Sequence, residues 1–271
     1  MKTMPPLIYG TAWKKERTAQ LVIEAVHQGF KGIDTACQPK HYKEDGVGEA
    51  LLVLAREGIK REDLYIQTKF TPLGGQDPAN VPYDTQVSLG LQVAQSFKTS
   101  KKNLHTEYVD ALILHSPLFP FANLFSVWQA MEQIAESGEA LRLGISNCYD
   151  LALLQKLYEE STIKPTILQN RFYSDSDYDK DLRKFCKDKG IVYQSFWSLT
   201  ANPHLLTHPT IIELSRQYNK TTAQIFFRFL TQIGITPLTG TTSMQHMQED
   251  LSIFDFSLSP QEIKKIEELL K

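Results

Sequence analysis

The chain has 271 residues, of which 42% are hydrophobic and 22% are charged. These fractions are typical of a globular protein that can build a large core. The formal net charge of -2 provides no basic surface for nucleic acid and no acidic tail, so no nucleic-acid partner is expected.

The sequence shows no sign of secretion or membrane insertion. The N-terminal segment MKTMPPLIYG lacks a long apolar run, and no stretch approaches the ~18 apolar residues that a spanning helix requires. Cys37, Cys148 and Cys186 are odd in number and far apart, which argues against a disulfide framework or a zinc ribbon. We therefore expect a reduced, cytoplasmic protein with no membrane partner and no metal.

Short apolar runs alternate with amphipathic segments along the chain. In chain order, the predicted strands are PLIYGT, GIDTA, LYIQTKF, VDALILH, ALRLGISN, TILQNRFY, IVYQSFWSL and ITPLTGT. Segments between them repeat apolar residues at the helical period, as in TAQLVIEAVHQGF, VGEALLVLAREG, LFSVWQAMEQIAESG and DLALLQKLYEE. Strands that alternate with helices pair in parallel through βαβ crossovers. We predict an α/β fold, a single-domain (β/α)8 TIM barrel over residues 1–271, in preference to an open doubly wound sheet.

The segment between the third and fourth strands is longer than a crossover requires. Its first part, PLGGQDPANVPYD, is rich in turn-forming residues and predicts an extended loop. Its second part, TQVSLGLQVAQSFKTSKKN, predicts a helix. We interpret the loop as one wall of a substrate site.

Four polar residues stand at or just beyond the ends of predicted strands. Asp34 closes GFKGID, Lys69 closes LYIQTK, His115 closes VDALILH, and Tyr42 lies in the loop after Asp34. Barrel active sites are built at the carboxyl face of the strands, so these side chains are expected to meet. Taken singly, each has a structural explanation: a cap or salt bridge, a solvated strand end, a buried histidine or an exposed aromatic ring.

Together the four residues supply what a carbonyl needs when a nicotinamide reduces it. Tyr42 is the candidate proton donor, although a free phenol titrates near pH 10. Lys69 is expected to lower the pKa of Tyr42 as a nearby cation, and Asp34 to keep Lys69 charged and oriented. A neutral His115 would hydrogen-bond the substrate carbonyl and fix its angle.

The order Asp34, Tyr42, Lys69, His115 resembles the catalytic tetrad of the aldo-keto reductase family. The stretches GFKGIDTACQPKHYKEDGVGEAL, LYIQTKF and VDALILHSPL carry the resemblance. The interval from Asp34 to Tyr42 is longer than usual in the family, so a reshaped loop must deliver the tyrosine. Tyr42 remains the candidate because no other tyrosine lies between Asp34 and VGEAL.

The resemblance extends to a nicotinamide site. LRLGISN is similar to the family motif in which Ser146 and Asn147 would bind the nicotinamide carboxamide, and Gln169 of TILQN would bind it from the next strand. In IVYQSFW, the resemblance implies that Trp197 takes the place of a tyrosine whose ring stacks on the nicotinamide.

The segment PLTGTTSMQHMQED resembles the family segment that binds the cofactor phosphates at a helix start. Where the family commonly has Lys and Arg, this chain has Gly240 and His246. The other candidates are Thr241, Thr242 and Ser243 as hydroxyl donors and Glu249 and Asp250 on the adenine side. The family habit implies NADPH, whereas the weaker phosphate contacts leave NADH open.

The resemblance also implies a small-molecule carbonyl substrate and a monomer or weak homo-oligomer. The family's N-terminal hairpin is reduced here to MKTMPP, and the chain ends at IEELLK, which together predict an open site. The residues expected to line it are Trp13, Phe70, Leu73 and Phe119, unless they serve as ordinary rim packing.

Two other functions are compatible with a barrel. One is a catalytically silent barrel that binds nucleotide or acts as a subunit, which would be free to lose Tyr42 or His115. The other is an isomerase or aldolase that uses Lys69 as a Schiff base, against which the carboxamide-binding residues argue. An NAD(P)H-dependent reductase of aldehydes and ketones is the leading hypothesis.

Overall fold

The computed structural model describes residues 3–270, and within them eight parallel strands close into a barrel. The strands are β1 (Ile8–Gly10), β2 (Gly32–Asp34), β3 (Tyr65–Phe70), β4 (Ala111–Leu114), β5 (Leu143–Ser146), β6 (Ile167–Arg171), β7 (Val192–Phe196) and β8 (Ile235–Thr239). Each strand pairs with the next, and β1 also pairs with β8, so the sheet has no free edge. Every strand falls within one of the predicted runs. The predicted single-domain (β/α)8 barrel is confirmed.

Helices connect the strands on the outside of the barrel. They are α1 (Thr18–Gln28), α2 (Glu44–Arg56), α3 (Leu89–Leu104), α4 (Phe121–Glu136), α5 (Leu151–Glu160), α6 (Lys180–Lys189), α7 (Pro203–Leu206), α8 (Pro209–Tyr218), α9 (Thr222–Gln232), α10 (Met244–Leu251) and α11 (Pro260–Glu267). Helix α2 begins ahead of the predicted run because Glu44 and Asp45 put acidic side chains in its first turn, where the helix dipole favours them. Helix α3 begins later than predicted, so the loop before it extends through Ser88.

Strand side chains alternate between the barrel interior and the layer of helices. The interior floor consists of apolar side chains at or near the strand starts: Ile8, Tyr65, Ala111, Ile113 and Ile167. The outward-facing side chains pack with the helices in one large core that contains Trp128. This alternation sends Gln67 and Lys69 of β3 into the barrel and Phe70 outward, so the polar interior lies toward the carboxyl ends of the strands.

The loop between β3 and α3 packs closely on the barrel. Tyr83 in this loop is buried, and its hydroxyl donates to the Thr71 carbonyl at 2.9 Å. The Tyr83 ring lies 5.6 Å from the ring of Phe70. The extended loop predicted for this segment is therefore anchored to the carboxyl end of β3.

Three further properties concern the described chain as a whole. Within residues 3–270, no helix is both long and apolar enough to cross a membrane. Cys37, Cys148 and Cys186 are all buried and free. Over the same residues, no group of three or more His, Cys, Asp or Glu side chains is arranged to hold a metal ion.

Candidate active site

Asp34 and Lys69 form a buried ion pair at the carboxyl end of the barrel. The Lys69 ammonium lies 2.6 Å from each Asp34 oxygen and donates to the Thr35 carbonyl at 2.9 Å. The two side chains are 3% and 1% exposed, respectively. Burial lowers the pKa of Lys69, and the Asp34 carboxylate opposes that shift. Asp34 therefore stabilises the charged form of Lys69, as expected from the sequence.

A layer of three glutamines lies beneath this ion pair. The amide nitrogens of Gln67 and Gln169 donate to Asp34 Oδ1 at 2.7 and 3.0 Å. Both nitrogens also donate to Gln194 Oε1, at 2.9 and 2.8 Å, and Gln194 donates back to Gln67 Oε1 at 2.9 Å. A buried carboxylate is costly unless hydrogen bonds satisfy its oxygens. The layer therefore supplies hydrogen bonds to Asp34 Oδ1 and holds the carboxylate in one position.

Sequence reasoning did not identify Gln67 and Gln194. Both are buried polar residues inside strands, at interior-facing positions of β3 and β7. A polar side chain at an interior-facing position of a barrel strand was the signal that could have found them. Gln169 was predicted for a different role, and its amide nitrogen is committed to Asp34 and Gln194.

Tyr42 lies against the other members of the tetrad. Its ring is 5.1 Å from the Lys69 ammonium and 5.9 Å from the His115 ring. The pKa of Tyr42 is not lowered overall, contrary to the expectation from the sequence. Burial, and then the charge of Asp34, hold the pKa of Tyr42 well above its usual value. Lys69 is directed at Asp34 and Thr35, so the phenol remains protonated at neutral pH.

His115 completes the tetrad as a neutral imidazole. Its Nδ1 is 2.7 Å from the Thr71 hydroxyl, and its carbonyl accepts from Asn147 Nδ2 at 2.8 Å. Burial, with further contributions from Lys69 and His41, holds the pKa of His115 well below its usual value. The ring is therefore uncharged at neutral pH, in agreement with the expectation from the sequence.

The lengthened loop between β2 and α2 delivers Tyr42 to this site. The Gln38 carbonyl accepts from the backbone N–H groups of His41 at 3.1 Å and Tyr42 at 3.0 Å. The His41 carbonyl accepts from the Trp13 N–H at 2.7 Å, and the rings of these two residues lie with centroids 4.0 Å apart and planes tilted by 36°. Gln38 Nε2 donates to the Gly75 carbonyl at 2.6 Å, which ties the loop to the turn after β3. The loop is thus fixed to the loop after β1 and to the turn after β3.

The end of this loop is fixed by the first residue of α2. The buried carboxylate of Glu44 accepts from the Thr68 hydroxyl of β3 and from Asn103 Nδ2 of α3 at 3.0 Å. Burial raises the pKa of Glu44, although these hydrogen bonds oppose the shift. Gly48 allows the close approach of the two helices, because a Cβ there would lie 1.9 Å from the Asn103 carbonyl oxygen. Glu44 therefore ties the end of the loop that carries Tyr42 to β3 and α3.

The residues predicted to bind a carboxamide come together beside the tetrad. Ser146, at the end of β5, donates to the Gln169 carbonyl at 2.7 Å. Asn147 has a left-handed backbone with φ of 53°, and its side chain bonds the His115 carbonyl. Since Gln169 contacts Asp34, the three side chains border the ion pair and the imidazole on one side of the mouth.

Trp197 does not face the barrel interior as the sequence reasoning assumed. It follows β7, has a left-handed φ of 55° and is 52% exposed. Its ring stacks on the Arg171 guanidinium, whose central carbon is 4.3 Å from the ring centroid. Gln194 faces the interior, so strand alternation directs Phe196 there. The interior aromatic residue at the end of β7 is Phe196, and the assignment from sequence was one position late.

The segment after β8 forms a polar turn into α10. The Tyr9 hydroxyl donates to the Thr241 carbonyl at 2.8 Å, and the Ser243 N–H donates to the Thr241 hydroxyl at 3.1 Å. The Ser243 side chain caps α10 by accepting from the His246 N–H at 3.4 Å. His246 and Thr242 are exposed on this turn. The predicted segment is thus the N-terminus of a capped helix.

Lys14 is a cation at this turn that sequence reasoning missed. Its ammonium donates to the carbonyl of Gly240 and lies 5.8 Å from the Tyr9 ring centroid. Burial lowers the pKa of Lys14, and Arg17 contributes in the same direction. The residue follows Trp13 in the loop after β1, far from Gly240 in sequence. Only the closure of β1 on β8 brings the two residues together.

The two residues expected on the adenine side differ in exposure. Glu249 is partly exposed on α10, and its carboxylate accepts from Gln245 at 2.8 Å. Asp250 is buried and accepts from the Thr239 hydroxyl at 2.7 Å, and burial raises its pKa to about 6. The Asp250 carboxylate therefore joins α10 to the end of β8.

Of the residues expected to line a substrate site, Trp13, Leu73 and Phe119 are exposed at the carboxyl end of the barrel, at 59%, 47% and 71%. They lie in the loops after β1, β3 and β4. Phe70, by contrast, does not line the site as expected. It is 1% exposed and packs against Tyr83 in the layer between strands and helices, because it alternates with the inward-facing Lys69.

A cavity of about 540 Å³ opens beside Tyr42. It is bordered by Trp13 and His41 on one side and by Asn80 and Pro82 of the long loop before α3 on the other. Of the tetrad, only Tyr42 reaches this cavity. The long loop thus forms a wall next to the candidate proton donor, at one side of the barrel mouth.

A closed (β/α)8 barrel with Asp, Tyr, Lys and His side chains gathered at its carboxyl end defines a nicotinamide-dependent oxidoreductase of the aldo-keto reductase type. The chain belongs to the aldo/keto reductase family, whose model matches residues 6–271. Membership implies NAD(P)H-dependent reduction of small-molecule carbonyl compounds. The resemblance seen in the sequence is thereby confirmed.

Relatives in sequence and in structure agree with this assignment. The chain is 30% identical over 246 residues to the Bacillus subtilis oxidoreductase YtbE. The matched region covers 90% of this chain and 81% of that protein. It is 28% identical over 248 residues to the glyoxal reductase of Bacillus subtilis, covering 91% and 81% of the two chains. An aldo/keto reductase structure from Brucella melitensis, 27% identical, superposes with a TM-score of 0.83 over 99% of this chain and 96% of that chain.

Proposed function

We propose that this protein reduces aldehydes and ketones to alcohols with NAD(P)H and that Tyr42 donates the proton. The observation that carries the proposal is the convergence of a protonated phenol, a neutral imidazole and a buried ammonium–carboxylate pair at one end of the barrel. When bound, the nicotinamide supplies hydride to the carbonyl carbon.

The high pKa of Tyr42 is compatible with proton donation. A phenol of raised pKa stays protonated at neutral pH, and the alkoxide that develops as hydride arrives is basic enough to take its proton. The Lys69 ammonium, 5.1 Å from the ring, would then stabilise the phenolate that remains. Asp34 acts through Lys69 by keeping that ammonium charged and in place.

His115 would orient the substrate. A neutral imidazole with Nδ1 engaged by Thr71 has its other ring nitrogen left for the substrate oxygen. A charged ring would compete with Tyr42 as a proton donor, and the depressed pKa of His115 excludes that competition at neutral pH. Its nearness to the Tyr42 ring, at 5.9 Å, allows both groups to meet one carbonyl oxygen.

The chain's own donors fit a nicotinamide dinucleotide. We assign the carboxamide to Ser146, Asn147 and the amide oxygen of Gln169, whose amide nitrogen is engaged by Asp34 and Gln194. Phe196, directed into the barrel at the end of β7, is the candidate ring that stacks on the nicotinamide.

For the phosphates we assign the capped N-terminus of α10 together with the Lys14 ammonium beside Gly240. The polar contacts in this segment are Thr241, Thr242, Ser243, His246 and Glu249. With one ammonium and no bidentate arginine on this turn, we propose that the preference for NADPH over NADH is modest.

The direct test is reduction of a panel of aldehydes, with glyoxal included because one relative bears the name glyoxal reductase. Consumption of NADPH and NADH is followed by absorbance, and cofactor binding by tryptophan fluorescence. Cofactor binding together with turnover is the expected result. Cofactor binding with no turnover of any carbonyl would favour a catalytically silent nucleotide-binding barrel instead.

A further inference from the structure

The guanidinium of Arg171 lies at the barrel mouth close to two aromatic rings. Its central carbon is 4.3 Å from the Trp197 ring centroid and 5.1 Å from that of Tyr173. The buried Nε has no hydrogen-bond partner among residues 3–270. Over the same residues, no carboxylate forms an ion pair with it. Both rings lie within cation–π distance of the guanidinium.

The position of Arg171 in β6 puts this charge above the candidate nicotinamide site. Arg171 is the last residue of β6 and follows Gln169 by two positions, so both side chains leave the same face of the strand. Gln169 reaches Asp34 inside the barrel. Arg171 is also in register with Phe196 of β7. Its side chain therefore stands one layer closer to solvent than the tetrad, beside the aromatic residue that faces the interior.

An unpaired buried donor is unfavourable, and an anion that binds to it removes that cost. The planar guanidinium edge matches the two oxygens of a carboxylate or phosphate, and stacking on aromatic rings fixes its plane beforehand. Trp197 adds a second sign of function, because a bulky residue rarely adopts a left-handed φ, here 55°. Such strained residues cluster at ligand-binding sites.

We propose that Arg171 is an oxyanion-binding residue at the barrel mouth, held in place by Trp197 and Tyr173. The oxyanion is either a carboxylate on the carbonyl substrate or a phosphate of the cofactor, two groups with the same recognition chemistry. The identity of these ligands rests on the proposed function.

The first arm of the test uses a matched pair of aldehydes, 4-formylbenzoate and its neutral methyl ester. If the substrate supplies the oxyanion, Arg171→Met should lower kcat/KM for 4-formylbenzoate by about 10- to 100-fold, mostly through KM. The value for the ester should stay within about twofold. Arg171→Lys, which keeps the charge but loses the planar edge, should recover part of the loss.

The second arm measures the dissociation constants of NADPH and NADH by tryptophan fluorescence. If a cofactor phosphate is the ligand, Arg171→Met should weaken cofactor binding by about 10-fold or more and leave the ratio between the two aldehydes unchanged. Loss for NADPH alone identifies the 2′-phosphate, and equal loss for both cofactors identifies the pyrophosphate. Because cofactor binding needs no turnover, this arm tests Arg171 even if the wild-type protein reduces neither aldehyde. A wild-type protein without activity would contradict only the proposed function.

Arg228→Met is the matched control. Arg228, on α9, also has a buried Nε without a partner among residues 3–270 and also stacks on an aromatic ring, that of Phe254, at 5.8 Å. It belongs to the outer layer, so its loss should change neither arm. The proposal is overturned if Arg171→Met, folded as judged by circular dichroism, changes neither the aldehyde ratio nor cofactor binding. If that variant does not fold, the same null result with Arg171→Lys and Arg171→Gln overturns it.

Discussion

One ammonium group, that of Lys69, contacts both carboxylate oxygens of Asp34 at 2.6 Å inside the barrel. Neither side chain is more than 3% exposed, so each charge depends on the other for its stability. The pair therefore behaves as one electrostatic unit. The Lys69 ammonium of this unit lies 5.1 Å from the centroid of the Tyr42 ring.

This pairing predicts strongly non-additive effects. We expect Lys69→Met and Asp34→Asn each to lower kcat/KM, and the double variant to lose little more than Lys69→Met alone. The reason is that Asp34 acts on the reaction only through Lys69. Steady-state kinetics on the three variants measures the coupling. Losses that simply add would show that the two residues act independently.

The glutamine layer beneath the pair should contribute to stability. Gln67→Leu removes one hydrogen bond from Asp34 Oδ1 and should lower the free energy of unfolding by about 1–3 kcal/mol. Urea denaturation measures the change. As a control, the same substitution in an Asp34→Asn background should cost less, since no buried charge is then left short of donors. An equal cost in both backgrounds would mean that Gln67 contributes only through packing and its hydrogen bonds with Gln194, not through the charge of Asp34.

His115 should make folding sensitive to acid. The folded protein keeps the ring neutral because its pKa is depressed by burial, whereas the unfolded chain takes up a proton near pH 6.5. The unfolded state then binds more protons, so stability falls as pH drops below about 6.5, by up to about 1.4 kcal/mol per pH unit. His115→Gln should remove this component from the pH dependence of urea unfolding. Identical pH profiles for the two proteins would contradict a neutral buried His115.

Cofactor preference should respond to charge at position 240. A Cβ on Gly240 would meet only the Lys14 ammonium at 3.6 Å and the Gly10 carbonyl at 3.8 Å, which are ordinary contacts. Gly240→Lys should therefore fold and raise the preference for NADPH over NADH in kcat/KM by about 10-fold. Gly240→Gln, of similar reach but neutral, is the control and should change little. If both variants shift the preference equally, shape and not charge is responsible.

The fold and the tetrad were predictable because local signals and the fold agree. The strands are short apolar runs with helical segments between them, and Asp34, Lys69 and His115 stand at their ends. The errors arose at residues whose role depends on whether the side chain points into the barrel or away from it. Phe70 and Trp197 each differ by one position from an inward-facing residue, and alternation reverses the meaning of a strand position with every step.

Other features depended on closure of the barrel and on burial. Lys14 meets Gly240 only because β1 pairs with β8, which the sequence of either segment does not encode. The pKa of Tyr42 was expected to fall because a cation was known to be near. Only the structure showed that burial and Asp34 outweigh it.

Whether Tyr42 donates the proton is decided by the kcat and the cofactor affinity of Tyr42→Phe. Tyr108→Phe is the control, because Tyr108 precedes β4 at the other end of the barrel, where it stacks on Arg61 at 4.3 Å. Tyr42→Phe should bind NADPH as wild type does and reduce an aldehyde with kcat lower by about 10²- to 10⁴-fold, while Tyr108→Phe stays near wild type. Near-normal turnover by Tyr42→Phe would show that another group donates the proton.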